Sequence, residues 1–427
     1  MGLGLLGRGV GDVAFLAQMG AKVTVTDKKT KRELAPSLKL LSEYKNIKFT
    51  LGEHREGDFT SVDMVIKSAG VPIDSVYIKA AKKAGVPVYM STALFAQFAK
   101  EKGATLVGIT GTRGKSTTTH LIAHILKVAG KRVHLGGNVR GVATLPQIKN
   151  VKPRDICVLE LDSWQLQGFA DLKIAIDVSV FTSFMQDHLN YYKSMSLYFK
   201  DKAGIYHHQT ETGVLIAGPT ASSLIKKDFK QVHGKFVAVK GSDVPKAWKR
   251  NLLGSHNDEN GACAISAVRA LGIKESSIKK GLATFKPVEG RLEFVREVKG
   301  VAIYNDNNGT TPDATVAALK SMPKKGKTIL IMGGSDKGIS FKNLIVEIGK
   351  VNATLVLLPG TGTEAFKREW KRGFVEVLSM QEAIKIAFGL ASRGDRVLLS
   401  PACASFGLFK NEYDRNDQFV KAVKTLK

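Results

Sequence analysis

The sequence predicts an α/β protein of three domains with mostly parallel sheets. Short apolar runs of strand length alternate with amphipathic helix-length stretches along the chain, the pattern of parallel strands joined by helical crossovers. The alternation restarts near residues 92 and 290, and 427 residues suit about two to four domains of ordinary size. Polar, glycine-bearing loops follow several of the strands directly. The expected boundaries are therefore 1–92, 93–290 and 291–427.

In the first segment Gly9–Met19 reads as a helix, and Ala21–Thr26, Val62–Lys67 and Val86–Tyr89 read as strands. Ser91–Lys102 is a helix leading into the strand Thr105–Ile109, and Thr119–Val128 is the next helical run. Strands follow near Cys157–Leu161 and Ile176–Phe181, then a polar, aromatic-rich stretch to Tyr206 that includes the helix-like Tyr198–Tyr206. An Ala-rich helix spans Gly261–Leu271, with Ser255 or Asn257 expected as its cap. Beyond Arg291 the strands are Val301–Tyr304, Thr328–Met332, Thr354–Leu358 and Arg396–Leu399.

Composition narrows the class. Hydrophobic residues make up 44% and charged residues 24%, ordinary values that argue against disorder and a collagen-like fibre. The longest apolar runs, such as Ile174–Val180, are short and broken by Asp177, so no membrane span is expected. No basic leader with an apolar core is read at the start. Cys157, Cys263 and Cys403 lie far apart and are odd in number, which argues against a disulfide framework or zinc site and fits a reducing compartment. The expectation is a cytoplasmic protein.

The net charge of +26 raises nucleic-acid binding as a class. A binding module concentrates charge on a patch, whereas residues 1–100 carry 15 basic and 9 acidic side chains, their proportional share. Lys28–Arg32 and Lys324–Lys327 are small clusters. A Lys-rich surface serving polyanionic ligands fits better, and no nucleic-acid partner is expected.

The first motif is Gly2-Leu-Gly4-Leu5-Leu-Gly7, with Asp27 about twenty residues later at a strand end. Such glycines let backbone approach a phosphate, or merely let a turn pack; the spacing alone leaves both open. The strand expected before that turn is not in the sequence, which starts at Met1. Gly108-Ile-Thr-Gly111-Thr112-Arg-Gly114-Lys115-Ser116-Thr117 is more specific. Between strand and helix it aims backbone N–H groups at phosphates, with Lys115 for the terminal phosphates and Ser116 or Thr117 for Mg²⁺. It is a variant P-loop, with Ile109 where the first glycine usually stands.

Glu160 follows a strand, as an acidic Mg²⁺ neighbour of a P-loop often does. Asp187-His188-Leu-Asn190 follows another, and is readable either as a capping feature or as part of the site. Lys202, taken alone, reads as a solvated lysine. His256 and Asn260 precede or open a helix, where they cap it or face nucleotide. Three further loops follow strands: Asp306–Asp313, Gly333–Gly338 and Ser400–Phe406. Ligands of α/β sheets bind beyond the carboxyl ends of strands, so three such loops point to one binding edge.

The segments GITGTRGKSTTT (108–119), RLEFV through NDNNGTTPDATVAAL (291–319), GGSDKG (333–338) and LLSPACASFGLFKN (398–411) together resemble the Mur ligase family, over nearly the whole chain. The resemblance is strongest to members that add D-glutamate to UDP-N-acetylmuramoyl-L-alanine. It implies a Rossmann-like UDP-binding first domain, a central P-loop ATPase domain with a mostly parallel sheet, and a Rossmann-like C-terminal domain that receives the amino acid. It also implies ATP and Mg²⁺, an acyl-phosphate intermediate, a cytoplasmic role in peptidoglycan precursor synthesis, and a monomer.

By matching motif position, the resemblance implies that Gly111, Thr112, Gly114, Lys115, Ser116 and Thr117 hold ATP, with Asn260, Arg291 and Asp306 framing the nucleotide. Ser116, Glu160 and His188 would hold Mg²⁺, joined by Lys202 as a carbamate; Lys115, His188 and Lys202 would be the catalytic set. Gly4, Leu5, Asp27, Ser68 and Asn138 would contact the UDP substrate, and Thr310, Lys337, Ser405 and Phe406 the amino acid. The chain departs from the family pattern at Asp162, Asn190, Gly290, Asn308 and Glu412. Those departures keep other readings in view: a related ligase adding another amino acid such as L-glutamate, a basic P-loop ATPase binding nucleic acid, or an inert homologue.

Overall fold

The structure, a computed structural model, describes residues 1–5, 7–72, 74–188, 191–227 and 232–427. Leu6 of the glycine turn and Asn190 of the Asp187–Asn190 motif lie outside the described residues. The chain forms two compact units: Met1–Lys249 with Glu259–Ala283, and Arg250–Asp258 with Thr284–Lys427.

Within the first unit, β1 (Val23–Asp27) pairs in parallel with β2 (Ile47–Leu51), and β3 (Val65–Ile66) with β4 (Val88–Tyr89). Residues 1–3 run between these two pairs with strand-like hydrogen bonds. Met1 N donates to Ile66 O at 2.9 Å, Gly2 N to Thr26 O at 2.8 Å, and Ser68 N to Met1 O at 3.0 Å. The strand that seemed missing before the glycine turn is thus supplied in short form by Met1–Leu3.

The larger sheet of this unit contains β5 (Thr105–Thr110), β6 (Val133–Gly137), β7 (Ile156–Glu160), β8 (Val178–Phe181), β9 (Val214–Ala217) and β10 (Lys235–Ala238). Its order is β10-β9-β8-β5-β7-β6, and every pairing is parallel. β5, β7 and β8 are buried on both faces, which explains their nearly continuous apolar sequences. After β5 the chain crosses to β6 at the edge, comes back through β7 beside β5, and then passes to β8 on the other side of β5. The carboxyl end of β5 is therefore the switch point where α/β sheets open a crevice.

Helix Lys115–Val128 follows β5 and buries Leu121, Ile122, Ile125 and Leu126 completely on one face. Full burial of each contributes about 1.5–3 kcal/mol. Gly130, at φ 75°, ends it by taking the left-handed conformation that a side chain would resist. Helix Ser163–Asp171 starts with a reciprocal cap: Gln165 N donates to Asp162 Oδ1 at 2.8 Å, and Asp162 N donates to Gln165 Oε1 at 3.2 Å. Asp162, a departure from the family pattern, is here a helix cap.

In the second unit β11 (Glu293–Val298), β12 (Val301–Asn305), β13 (Thr328–Gly333), β14 (Thr354–Leu358), β15 (Val375–Glu376) and β16 (Arg396–Leu399) form a sheet in the order β11-β12-β16-β13-β14-β15. Only the β11 edge is antiparallel. β12, β16 and β13 are neighbours, so the three polar loops that follow them do share one sheet edge.

Two sequence readings need correction. The Ala-rich helix spans Ser255–Ala270, so Ser255 and Asn257 lie inside it instead of capping it; Asn257 Nδ2 donates back to Leu253 O at 2.7 Å. Lys202 lies in helix Met195–Ala203 and is buried, not solvated.

One tie secures the sheet end opposite the crevice. Asp155, just before β7, is buried, with Oδ2 2.8 Å from His134 Nε2 and 3.1 Å from Arg132 Nε, and accepting from Lys152 N at 3.0 Å. Burial alone would raise its pKa, but these hydrogen bonds and the Arg132 charge outweigh it and hold the carboxyl below its ordinary 3.8. A carboxyl depressed on folding stabilises above its unfolded pKa and loses that contribution as pH falls through the folded value. Asp155→Ala is expected to cost about 2 kcal/mol at pH 7 in urea unfolding, with the difference from wild type shrinking below about pH 4.

Candidate active site

The turn after β5 is held from one side by the segment after β8. Thr112 N donates to Ser183 O at 2.8 Å, Arg113 N donates to Ser183 Oγ at 2.9 Å, and Thr182 Oγ1 donates to the Arg113 carbonyl. Gly111 sits at φ 146° and Gly114 at φ 87°. A Cβ on Gly111 would fall 2.1 Å from Thr182 Oγ1, and one on Gly114 2.2 Å from Asn260 Oδ1. Both positions therefore need glycine, and Asn260 stands against the loop although it is far away in sequence. Lys115, Ser116 and Thr117 form the first turn of the helix, where N–H groups without intrahelical partners and the helix dipole favour an anion.

Two lysines turn inward on this loop. Lys115 Nζ donates to Gly111 O at 2.8 Å and Thr112 O at 3.3 Å. Lys202 Nζ donates to the same Gly111 oxygen at 3.0 Å and to Thr110 Oγ1 at 3.4 Å, 4.9 Å from the centre of the Tyr198 ring. Lys202 is only 1% exposed. Burial first, and the Lys115 charge second, bring its pKa well below the ordinary lysine value, against the pull of Asp162, Asp187 and Asp201. A neutral amine there is a nucleophile, which a solvated ammonium is not.

His188 lies across the loop at φ 54°. Its backbone N donates to Asp187 Oδ1 at 2.9 Å, and Arg113 approaches Asp187 Oδ2 at 3.8 Å. Burial lowers the His188 pKa, Asp187 opposes that, and the charges of Lys115 and Lys202 add to it, so the neutral imidazole is favoured. Glu160 ends β7 and is buried; its carbonyl accepts Asn138 N at 2.7 Å, drawing the ends of β6 and β7 together. Among the described residues no cluster of three His, Cys, Asp or Glu side chains is preassembled for a metal. A hydroxyl from Ser116, a carboxylate from Glu160 and an imidazole from His188 nonetheless suit Mg²⁺ that takes most of its oxygens from phosphate and water.

At the glycine turn Asp27 accepts Gly4 N at 3.0 Å on one oxygen and Lys29 N at 2.9 Å on the other. It fixes the turn by backbone contacts that the spacing did not reveal. Ser68 Oγ lies where a Cβ on Gly2 would clash, at 2.5 Å, so Ser68 packs against the start of the turn, whereas Leu5 is exposed. Arg8, which sequence reasoning missed, reaches from the first helix to Asn138, its Nη1 donating to Asn138 Oδ1 at 2.7 Å. Thr182, Ser183 and Tyr198 were missed too. Their only signal was position just after a strand, or on the helix of Lys202.

The second unit gathers its own polar set. Asp306 accepts Leu292 N on Oδ1 at 3.2 Å and Ser400 Oγ on Oδ2 at 2.8 Å, placing Arg291 beside the loop after β12. Lys337 Nζ donates to Thr310 Oγ1 at 3.0 Å. Ser405 is buried and Phe406 is exposed, its carbonyl accepting Ser335 Oγ. Beneath them Arg415, fully buried, holds Asn307 through Nε to Oδ1 at 2.8 Å and Nη2 to O at 2.9 Å, and it reaches Cys403 O at 3.3 Å. Burial lowers its pKa to about 10, still charged near neutrality.

Residues 1–90 match the Mur ligase MurD-like N-terminal domain, residues 109–261 the Mur ligase middle domain, and residues 290–403 the Mur ligase glutamate ligase domain. The UDP-N-acetylmuramoylalanine–D-glutamate ligase of Borreliella burgdorferi (strain ZS7) is 34% identical, covering 100% of this chain and 97% of its own. The chain belongs to the Mur ligase family. The enzyme of the same name from Roseiflexus sp. (strain RS-1) is 33% identical over 100% of this chain and 97% of its own. Among solved structures, the UDP-N-acetylmuramate-alanine ligase MurC of Thermotoga maritima shares the Mur ligase fold at TM-score 0.64 and 17% identity, covering 100% of this chain and 98% of that one. MurF ligase of Thermotoga maritima in complex with ADP aligns at TM-score 0.59 and 19% identity, over 86% of this chain and 96% of that one.

In this Mur ligase Gly114→Ala is expected to weaken binding of a non-hydrolysable ATP analogue by about tenfold or more, because the new Cβ strains the backbone and displaces Asn260. Gly130→Ala, also at positive φ but with nothing within 4 Å of its Cβ, should cost about 1 kcal/mol of stability and leave that affinity unchanged. Calorimetric titration of both variants checks the pair.

Proposed function

We propose that this Mur ligase joins D-glutamate to UDP-N-acetylmuramoyl-L-alanine at the expense of ATP, as a cytoplasmic monomer in peptidoglycan precursor synthesis. The observation that carries the reading is the P-loop with Lys115, Lys202 and His188 turned onto it, in a chain matched end to end by ligases of that name. The proposed division of labour is a UDP-substrate domain at 1–92, an ATP domain at 93–290 and an acceptor domain at 291–427.

The chemical difficulty is electrostatic: a carboxylate must approach a triphosphate, and both are anions. Gly111 to Thr117 receive the phosphates on backbone N–H groups, and Lys115 leaves the loop carbonyls to neutralise them. The substrate carboxylate takes the γ-phosphoryl group, releasing ADP. The amine of the amino acid then attacks the acyl carbon, and phosphate leaves from the tetrahedral intermediate. Gly4, Leu5, Asp27, Ser68 and Asn138 orient the nucleotide substrate; Thr310, Lys337, Ser405 and Phe406 receive the amino acid. Asn260, Arg291 and Asp306 frame ATP. Ser116, Glu160 and His188 would hold Mg²⁺, whose charge would offset that of the phosphates. Burial lowers the pKa of Lys202 and so favours its free amine, which could add carbon dioxide and lose a proton to give a carbamate anion that would support the metal.

The test is phosphate release from MgATP with UDP-N-acetylmuramoyl-L-alanine and D-glutamate, L-glutamate or no amino acid. Release only with D-glutamate is expected; release with L-glutamate alone would give Asn308 and Glu412 a different acceptor. Lys115→Ala should abolish turnover, and retained turnover would remove the P-loop assignment. Lys202→Ala should lower kcat at least tenfold, with partial recovery on adding short carboxylic acids if a carbamate is the working group.

A further inference from the structure

The indole N–H of Trp164 is buried and has no hydrogen-bond acceptor among the described residues. Removing such a donor from water without a partner is unfavourable, and indole can only donate. An unpartnered indole does not by itself make a site. Trp370 shares the feature, but it stacks on Phe366 at 5.6 Å within an apolar cluster. Trp164 has different surroundings. It is the second residue of helix Ser163–Asp171, directly beyond Glu160 at the end of β7. Its ring meets that of His188 edge-on at 5.0 Å and that of Tyr191 at 5.4 Å. His188 in turn stands 5.8 Å from Tyr198, whose hydroxyl approaches Thr112 Oγ1 of the P-loop at 3.4 Å.

Sheet order shows which groups lie near the start of this helix. β7 lies between β5, which carries the P-loop, and β6, which leads to Asn138. A helix rising from β7 therefore starts where the phosphate side and the Asn138 side meet. With the proposed function as its basis, we infer that Trp164 Nε1–H donates a hydrogen bond to an oxygen of the acid end of the nucleotide substrate, and so positions that carboxylate beside His188. The donor is shielded from solvent in the protein alone, so the inference includes a shift of the indole on substrate binding that brings its N–H to the substrate oxygen.

Trp164→Phe keeps a ring against His188 and removes the N–H. In the full-length enzyme it should raise KM for UDP-N-acetylmuramoyl-L-alanine about tenfold, the loss for one hydrogen bond to a charged acceptor, with KM for ATP unchanged. A change confined to kcat or to thermal stability, with that KM unaltered, would show that the ring merely packs. A second measurement leaves Trp164 intact. In a Trp248→Phe/Trp370→Phe background Trp164 is the sole tryptophan, and its emission should move to longer wavelength when the nucleotide substrate is added to protein preloaded with a non-hydrolysable ATP analogue. No movement at saturation, or movement with the analogue alone and none afterwards, overturns the inference. Wild-type phosphate release decides the parent reading separately. A shift in a protein that releases no phosphate would keep the contact and sink the ligase; release without a shift would do the reverse.

Discussion

The carbonyl oxygen of Gly111 receives two lysine side chains, from Lys115 at 2.8 Å and Lys202 at 3.0 Å, and the first unit's site is arranged around that shared acceptor. Burial first, and the nearby Lys115 charge second, disfavour the ammonium form of Lys202. A single carbonyl dipole offsets only part of the cost, and the deeper of the two yields its proton preference. The acceptor is available because Gly111 adopts a backbone conformation that leaves no room for a Cβ beside Thr182. Thr182 and Ser183 then pin the loop to the end of β8, and the chain that leaves them carries Asp187 and His188. One glycine thus couples the phosphate loop, the buried lysine and the imidazole into a single arrangement.

The second unit solves a similar problem with the opposite device. Arg415 is buried as deeply as Lys202 but stays charged near neutrality. Its planar guanidinium spreads one charge over three hydrogen bonds, to the Asn307 side chain, the Asn307 carbonyl and the Cys403 carbonyl. These contacts fasten the loop after β12 to the loop after β16. Asn305, Asn307 and Asn416 complete the network: Asn305 Nδ2 donates to Asn416 Oδ1, and Asn307 Nδ2 to Glu412 O. Lys337 and Thr310 stand above a rigid polar floor, whereas Lys115 and Lys202 lie on a loop whose charge balance changes when an anion arrives.

The sequence was informative where one local rule decides the structure. Buried parallel strands such as β5 and β13 are written as continuous apolar runs, and Gly111–Ser116 announces a phosphate loop by its glycines alone. It was less informative where distance in space, not in sequence, decides. Lys202 looks solvated in its own helix, and only the packing of that helix under the P-loop buries it. Arg8 finds Asn138 across 130 positions, and Asn260 stands at Gly114 from the second turn of a remote helix. Strand β2 is hidden because Lys48 and Thr50 interrupt its apolar residues and no apolar run results. The start of the helix that carries Asn260 is hard to read because Ser255 and Asn257, good caps by type, lie inside it.

The distribution of charge follows from the same chemistry. On the proposed reading both ATP and the nucleotide substrate are polyanions, and so are the products that must leave. A dense cationic patch would speed arrival and then hold ADP and phosphate in place. A net charge of +26 spread along the chain attracts anions over about a Debye length without building a deep local well. The selective positive groups are then few: Lys115 at the phosphate loop, and Lys337 and Arg415 in the second unit. Lys115 and Arg415 direct hydrogen bonds at backbone carbonyls and Lys337 at the Thr310 hydroxyl, and such neutral acceptors hold a cation less strongly than the anionic oxygens of a phosphate or carboxylate.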